Sequence, residues 1–262
     1  MSTEARGRPT AWSILAVPIV RVALVGLAAF AIWLALAAID GPGPFPPGML
    51  FAAAAMLPVN LVSLVLVRRA LHRDGRRARE LVDFSARRLG TDVLWGLLWL
   101  FALSAPFALA VVGTMFALHG GAAFERFETV FYDPAAAPAL GPTALAVLAI
   151  VSVATFAPLN APVEELVYRG YAQGGLAARW PAAAAIVVPA AIFAVQHVFY
   201  AATPDAVVVY LVAFFVWGLG SALIVRRQRR LMPIIVAHVL VNLMTSAPAL
   251  VVAFLPPEAF GG

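Results

Sequence analysis

Long apolar runs, separated by short polar or turn-rich stretches, dominate this chain of 262 residues. A helix needs about 20 apolar residues to cross the hydrocarbon of a bilayer. Runs of that kind occupy roughly 11–39, 48–67, 91–118, 142–168, 182–200, 206–225 and 232–254. The pattern predicts an all-α fold, a polytopic transmembrane helix bundle of about seven spans. The separators have turn chemistry: the proline-rich run Gly41 to Pro47 and the stretch Thr203-Pro204-Asp205 cannot continue a helix. The first run follows Arg6 and Arg8 and is about twice as long as a 7–15-residue signal-peptide core, so it reads as a retained span.

Composition agrees. The chain is 63% hydrophobic and only 12% charged, with a mean hydropathy of +0.93. Soluble domains carry about 25% charged residues. With no cysteine, disulfides and thiolate metal sites are excluded. All 18 basic residues are arginine. Sixteen of them fall in 1–10, 68–90, 169–180 and 226–230, whereas the alternate loops hold only Arg126. Such asymmetry is a topology signal and places the N-terminus in the cytosol of a multi-pass protein of the cell membrane. It accounts for the net charge of +5 without a nucleic-acid partner. The arginine-rich stretch 68–90 has no clean apolar face and reads as a cytosolic loop rather than a lipid-surface helix. The chain divides into N-terminal helices with this loop, 1–140, and a core, 141–262, that holds most of the intramembrane polar groups.

Those polar groups are Glu164, Glu165, His197, His238 and Asn242. Ionisable side chains at membrane depth are costly and mark functional sites by default. Glu165 and Arg169 are four apart in the acid-before-base order that favours an ion pair on one helix face. Glu164 points about 100° away and is left without a sequence-near cation, which makes it the candidate general base. Pro158 and Pro162 should loosen the helix that carries it. His238 and Asn242 share a face. Spans four and five form a hairpin turning near Trp180-Pro181, with Glu164 and His197 each about 24 Å from the tip. One site could therefore form from spans four, five and seven, opening to the cytosolic half. Arg21, inside the first span, is expected to snorkel or to pair within the bundle.

Three motifs stand in order: Glu164-Glu165-Leu-Val-Tyr-Arg169, Phe193-Ala-Val-Gln-His197 and His238-Val-Leu-Val-Asn242. Over about residues 140–254 the chain resembles the CPBP family of intramembrane proteases. That family includes the type II CAAX prenyl endopeptidases and bacteriocin-processing or self-immunity proteins. Within the motifs the one departure is Tyr168, where phenylalanine is common. The resemblance implies an endopeptidase that cleaves a membrane-associated peptide or protein substrate. Glu164 would activate a water with help from His197, His238 and Asn242 would steady the oxyanion, and Glu165 and Arg169 would lock the helix, beside Phe193. A Zn²⁺ or other divalent metal held by His197, His238 and Glu164 is one expectation; a metal-free hydrolysis is the other. Two further readings are a non-catalytic membrane scaffold or immunity protein and a proton-coupled transporter. No repeat-related pair of broken helices supports the transporter.

Overall fold

The computed structural model describes residues 9–41, 43–131 and 140–254. Arg6, Arg8, Pro42 and Asp133 lie outside the described residues. Among those described the fold is all helix, with no strand. Helix α1 covers Ala11–Asp40, α2 Met49–Ala54, α3 Met56–Arg73, α4 Ala78–Val82, α5 Leu89–His119 and α6 Phe127–Phe131. Helix α7 runs from Pro142 to Ala177, α8 covers Ala182–Gln196, α9 Pro204–Gln228 and α10 Met232–Phe254.

Six helices are long and apolar enough to cross a membrane: α1, α5, α7, α8 with its extension to Tyr200, α9 and α10. The expected second span is different. It is built from α2 and α3, which meet at Ala55, and it reaches Arg73 rather than stopping at residue 67. Its hydropathy is lowered by Asn60, Ser63 and the terminal arginines; Asn60 and Ser63 prove to face inwards, while Arg68, Arg69 and Arg73 are exposed. At 1.5 Å per residue, Met49–Arg73 is about 37 Å long, enough to cross and to make the seventh span.

Local chemistry sets the helix ends. Thr10 caps α1 by accepting the Ser13 N–H at 3.2 Å. Thr203 caps α9 in the same way, with Pro204 at the first helical position. The Thr203 hydroxyl also donates to the Val130 carbonyl at 2.7 Å, which ties α9 to the end of α6. Helices α5 and α10 cross closely at Gly96, where a Cβ would lie 2.5 Å from Val236. Helix α9 lies against α8 at Gly218, where a Cβ would be 3.2 Å from the Ala190 backbone. Any larger residue at either crossing would push the helices apart.

The principal core packs Ile14, Leu71, Val167, Tyr168, Leu176, Phe193 and Ile234 against one another. Large apolar side chains such as Trp12, Phe101 and Leu109 remain exposed on the outside. A soluble protein would rarely present so much apolar surface, and a lipid solvent accounts for it.

Two ends can be told apart. At one, Arg230 bonds Asp92 at 2.6 Å and approaches Asp83 at 3.7 Å, which joins the loops after α3 and α9. The tip of the α7–α8 hairpin lies at this same end, beside Arg226 and Arg229. At the other, His119 meets Asp205 at 3.3 Å, and α6 is tied to Thr203. The arginine-rich loops thus share one end of the bundle, as their alternation implies. The stretch 68–90 holds the end of α3, the five-residue α4 and a short 3-10 turn rather than one long surface helix.

Candidate functional site

Helix α7 is not a uniform α-helix. It widens to π-helix at Ser152–Phe156 and again at Leu166–Gln173, on either side of Ala157–Glu165. Pro158 and Pro162 fall in the segment between, where they cannot donate to the carbonyl one turn back. The loosening expected of this helix takes the form of changes of helical pitch, without a break. The stretch Arg169–Gln173 is buried against the rest of the bundle.

Glu164 and Glu165 are both fully buried and have different surroundings. The Glu164 Oε1 atom accepts from Arg21 Nη2 at 2.9 Å and from Gln196 Nε2 at 2.7 Å. The absence of a cation for Glu164, inferred from its neighbours in sequence, is therefore corrected: Arg21 of α1 supplies one, 143 residues away along the chain. Arg21 pairs inside the bundle and does not snorkel. Its guanidinium also donates to Asn160 at 2.8 Å, Asn60 at 3.0 Å, Ser63 at 3.0 Å and Gln196 at 3.3 Å. Every one of these acceptors is buried, so the charge is surrounded by oxygen rather than hydrocarbon. The second carboxylate oxygen of Glu164, Oε2, has no hydrogen-bond partner and lies 3.5 Å from His238 Nε2.

Glu165 is held by Arg169 at 3.1 Å, the expected pair one turn apart. Its Oε1 also meets His238 Nδ1 at 2.8 Å. A carboxylate can only accept, so Nδ1 carries the hydrogen and Nε2 is turned to Glu164. The His197 Nδ1 lies 2.7 Å from the Phe193 carbonyl, which again places the hydrogen on Nδ1 and leaves Nε2 unclaimed. The His197 ring stacks on Phe214 with centroids 3.6 Å apart. Phe193 sits between the two halves of the cluster, 4.3 Å beneath the Arg169 guanidinium and 4.5 Å from the His197 ring.

His197, His238, Asn242 and Asn160 line one cavity of about 440 Å³ whose other walls are mainly aromatic and aliphatic. Glu164 stands behind this wall. The Asn242 side-chain amide nitrogen is buried without an acceptor. An opening towards the arginine-rich end was expected. The cavity extends instead towards Phe127 and Phe131 of α6, at the opposite end, because Arg169, Gln173 and the packed α7–α8 tip close the near side.

The seven residues singled out from the sequence thus fall in one cluster. The hairpin register holds as well, since Gln196 and Glu164 are in contact across it. Sequence reasoning missed Gln196, Asn60 and Ser63. Gln196 accepts the Tyr168 hydroxyl at 2.8 Å while it donates to Glu164, so Tyr168 fixes the amide that grips the carboxylate. The signal available was the arginine inside the first apolar run, which needed polar partners somewhere in the bundle.

The donor chemistry of His197 Nε2, His238 Nε2 and Glu164 Oε2 would suit a divalent ion. Among the described residues, however, no three His, Cys, Asp or Glu side chains come together to hold one. As placed, these residues do not fit a metal.

No curated protein and no solved structure matches this chain. A family model does: residues 143–244 of the chain match the type II CAAX prenyl endopeptidase Rce1-like family.

Proposed function

We propose that the protein is an intramembrane endopeptidase of the cell membrane, with the arginine-rich end in the cytosol. It hydrolyses a peptide bond of a membrane-associated substrate by Glu164-activated water. The observation that carries this reading is the asymmetry of the Glu164 carboxylate. One oxygen is anchored by Arg21 and Gln196, and the other is unpartnered and turned to His238. A water lodged against Oε2 gives a proton to it, and the hydroxide adds to the scissile carbonyl carbon. The Asn242 amide, which has a donor to spare, bonds the oxyanion that forms. The proton then passes to the leaving nitrogen as the carbon–nitrogen bond breaks, giving a carboxylate and an amine. His197, which lines the same cavity and has its Nε2 unclaimed, relays that proton. The mainly apolar walls suit a substrate segment that arrives from the bilayer.

The test is cleavage of a membrane-anchored reporter peptide co-reconstituted with the protein, read by mass spectrometry of the new termini. Wild type cleaves and Glu164→Gln does not; equal turnover would remove Glu164 as the base.

One observation favours a second reading, a non-catalytic scaffold. Glu164 is fully buried, paired to Arg21 and set back from the cavity wall, as a purely structural carboxylate would be. A cellular phenotype that survives Glu164→Gln together with His238→Ala would select the scaffold.

A further inference from the structure

A second hollow, of about 340 Å³, lies at the arginine-rich end between the tip of the α7–α8 hairpin and the end of α9. Three arginines line it, Arg169, Arg226 and Arg229, and no acidic residue does. Arg226 and Arg229 are exposed and make no ion pair among the described residues. Arg169 is only 3% exposed. Its Nη1 is spent on Glu165, but its Nη2 is buried with no acceptor. A charged donor left unsatisfied in a buried position is costly, so its place beside two free cations calls for an anion.

The remaining wall refines the ligand. Gln173 Nε2 donates to the Ala222 carbonyl at 2.9 Å, while its Oε1 is buried and unpartnered. An acceptor among cations suits an anion that also carries a hydroxyl. Ala182 is the first residue of α8, and no side chain caps that helix, so its first N–H groups add positive potential. Ala185, Ile186 and Val225 make the rest of the surface apolar. In the membrane, this end of the bundle stands at headgroup level.

We infer that this hollow binds a phosphate anion, taken either from the headgroup of an anionic phospholipid or as free phosphate. The ligand bonds Arg169, Arg226 and Arg229. Through Arg169 it is linked to Glu165 and so to His238. Binding itself does not depend on the hydrolytic reading.

The test uses the full-length protein, delipidated in neutral detergent. It is titrated separately with phosphatidylglycerol, phosphatidylcholine and inorganic phosphate, and followed by native mass spectrometry and Tm. Two variants are compared with wild type. Arg226→Gln with Arg229→Gln removes the free cations. Gly174→Leu fills the hollow without changing charge: a Cβ at Gly174 meets only the Arg169 carbonyl, at 3.9 Å, and leucine is the better helix former. We expect phosphatidylglycerol to be retained and to raise Tm, phosphatidylcholine to do neither, and both variants to bind phosphatidylglycerol at least about tenfold more weakly. An equal rise in Tm with inorganic phosphate alone, lost in the same variants, assigns the site to the free anion. Phosphatidylglycerol affinity unchanged in the double arginine variant overturns the site. So does unchanged affinity in a Gly174→Leu protein with wild-type circular dichroism. Neither readout involves proteolysis, so failure here and failure of the hydrolase assay are separate results.

Discussion

The N-terminal helices α1–α3 and the matched segment 143–244 play unequal parts in one polar cluster. The matched segment carries both carboxylates, both imidazoles and the amide, together with the Phe193 ring between them. Its own cation, Arg169, serves Glu165. The cation for Glu164 comes from α1, and two of the oxygens around that cation, on Asn60 and Ser63, come from α3. The Glu164 carboxylate and the cation that balances it are thus supplied by different parts of the chain. A segment can carry its own carboxylate and still depend on its flank to keep it in place.

The largest expected effect tests the reacting half. Glu164→Gln should lower kcat at least about 10³-fold, the range of a lost general base, while binding of an uncleaved substrate peptide is kept. Next comes the flank. Arg21→Met leaves a buried carboxylate without its partner and should cost about 3–5 kcal/mol of stability, read as a drop in the detergent unfolding midpoint. The double variant Arg21→Met with Glu164→Gln should recover much of that loss, since neither charge is then stranded. If the double variant is no more stable than Arg21→Met alone, the two sites are independent and the division of labour drawn above is wrong. A smaller effect belongs to Asn242→Ala, which should lower kcat about 10²-fold with KM little changed, as for removal of one oxyanion donor. The smallest is Asp92→Asn. Asp92 is buried, but its partner Arg230 is partly solvated and can turn to water, so we expect about 1–2 kcal/mol in the same unfolding assay and unaltered cleavage. A larger loss there would mean that the rim, not the Arg21 cluster, holds the helices together.

The fold was largely legible in the sequence because bilayer thickness imposes a length on every apolar run. The second span was the least visible to hydropathy because two of its polar residues, Asn60 and Ser63, answer to Arg21. Within the site, contacts one turn apart could be read from spacing, as with Glu165 and Arg169. The hairpin level of Glu164 and His197 followed from counting residues to the turn. Arg21 as the partner of Glu164 could not be found this way, because helix packing, not local period, brings α1 to α7. Gln196 was hidden for another reason: it precedes His197 and lies 32 residues from Glu164, where only the hairpin's rotation decides which of two adjacent side chains faces the acid. The direction of the cavity was illegible too, since it depends on how tightly Leu166–Gln173 is packed.

The wide turns of α7 have a consequence for how this helix tolerates change in length. An α-turn takes 3.6 residues and a π-turn takes more, so each widened stretch delays the winding of everything beyond it. The faces that α7 offers to α1, to the imidazoles and to the hollow at its tip are phased by those surplus residues. Deleting Ala172 removes one surplus residue: a stretch that closes to ordinary α-turns leaves Gly174 and Ala177 facing as before, whereas one that stays wide swings them round by up to about 100°. In a chain without cysteine, a single thiol introduced at Ala177 would report that swing as a change in labelling rate.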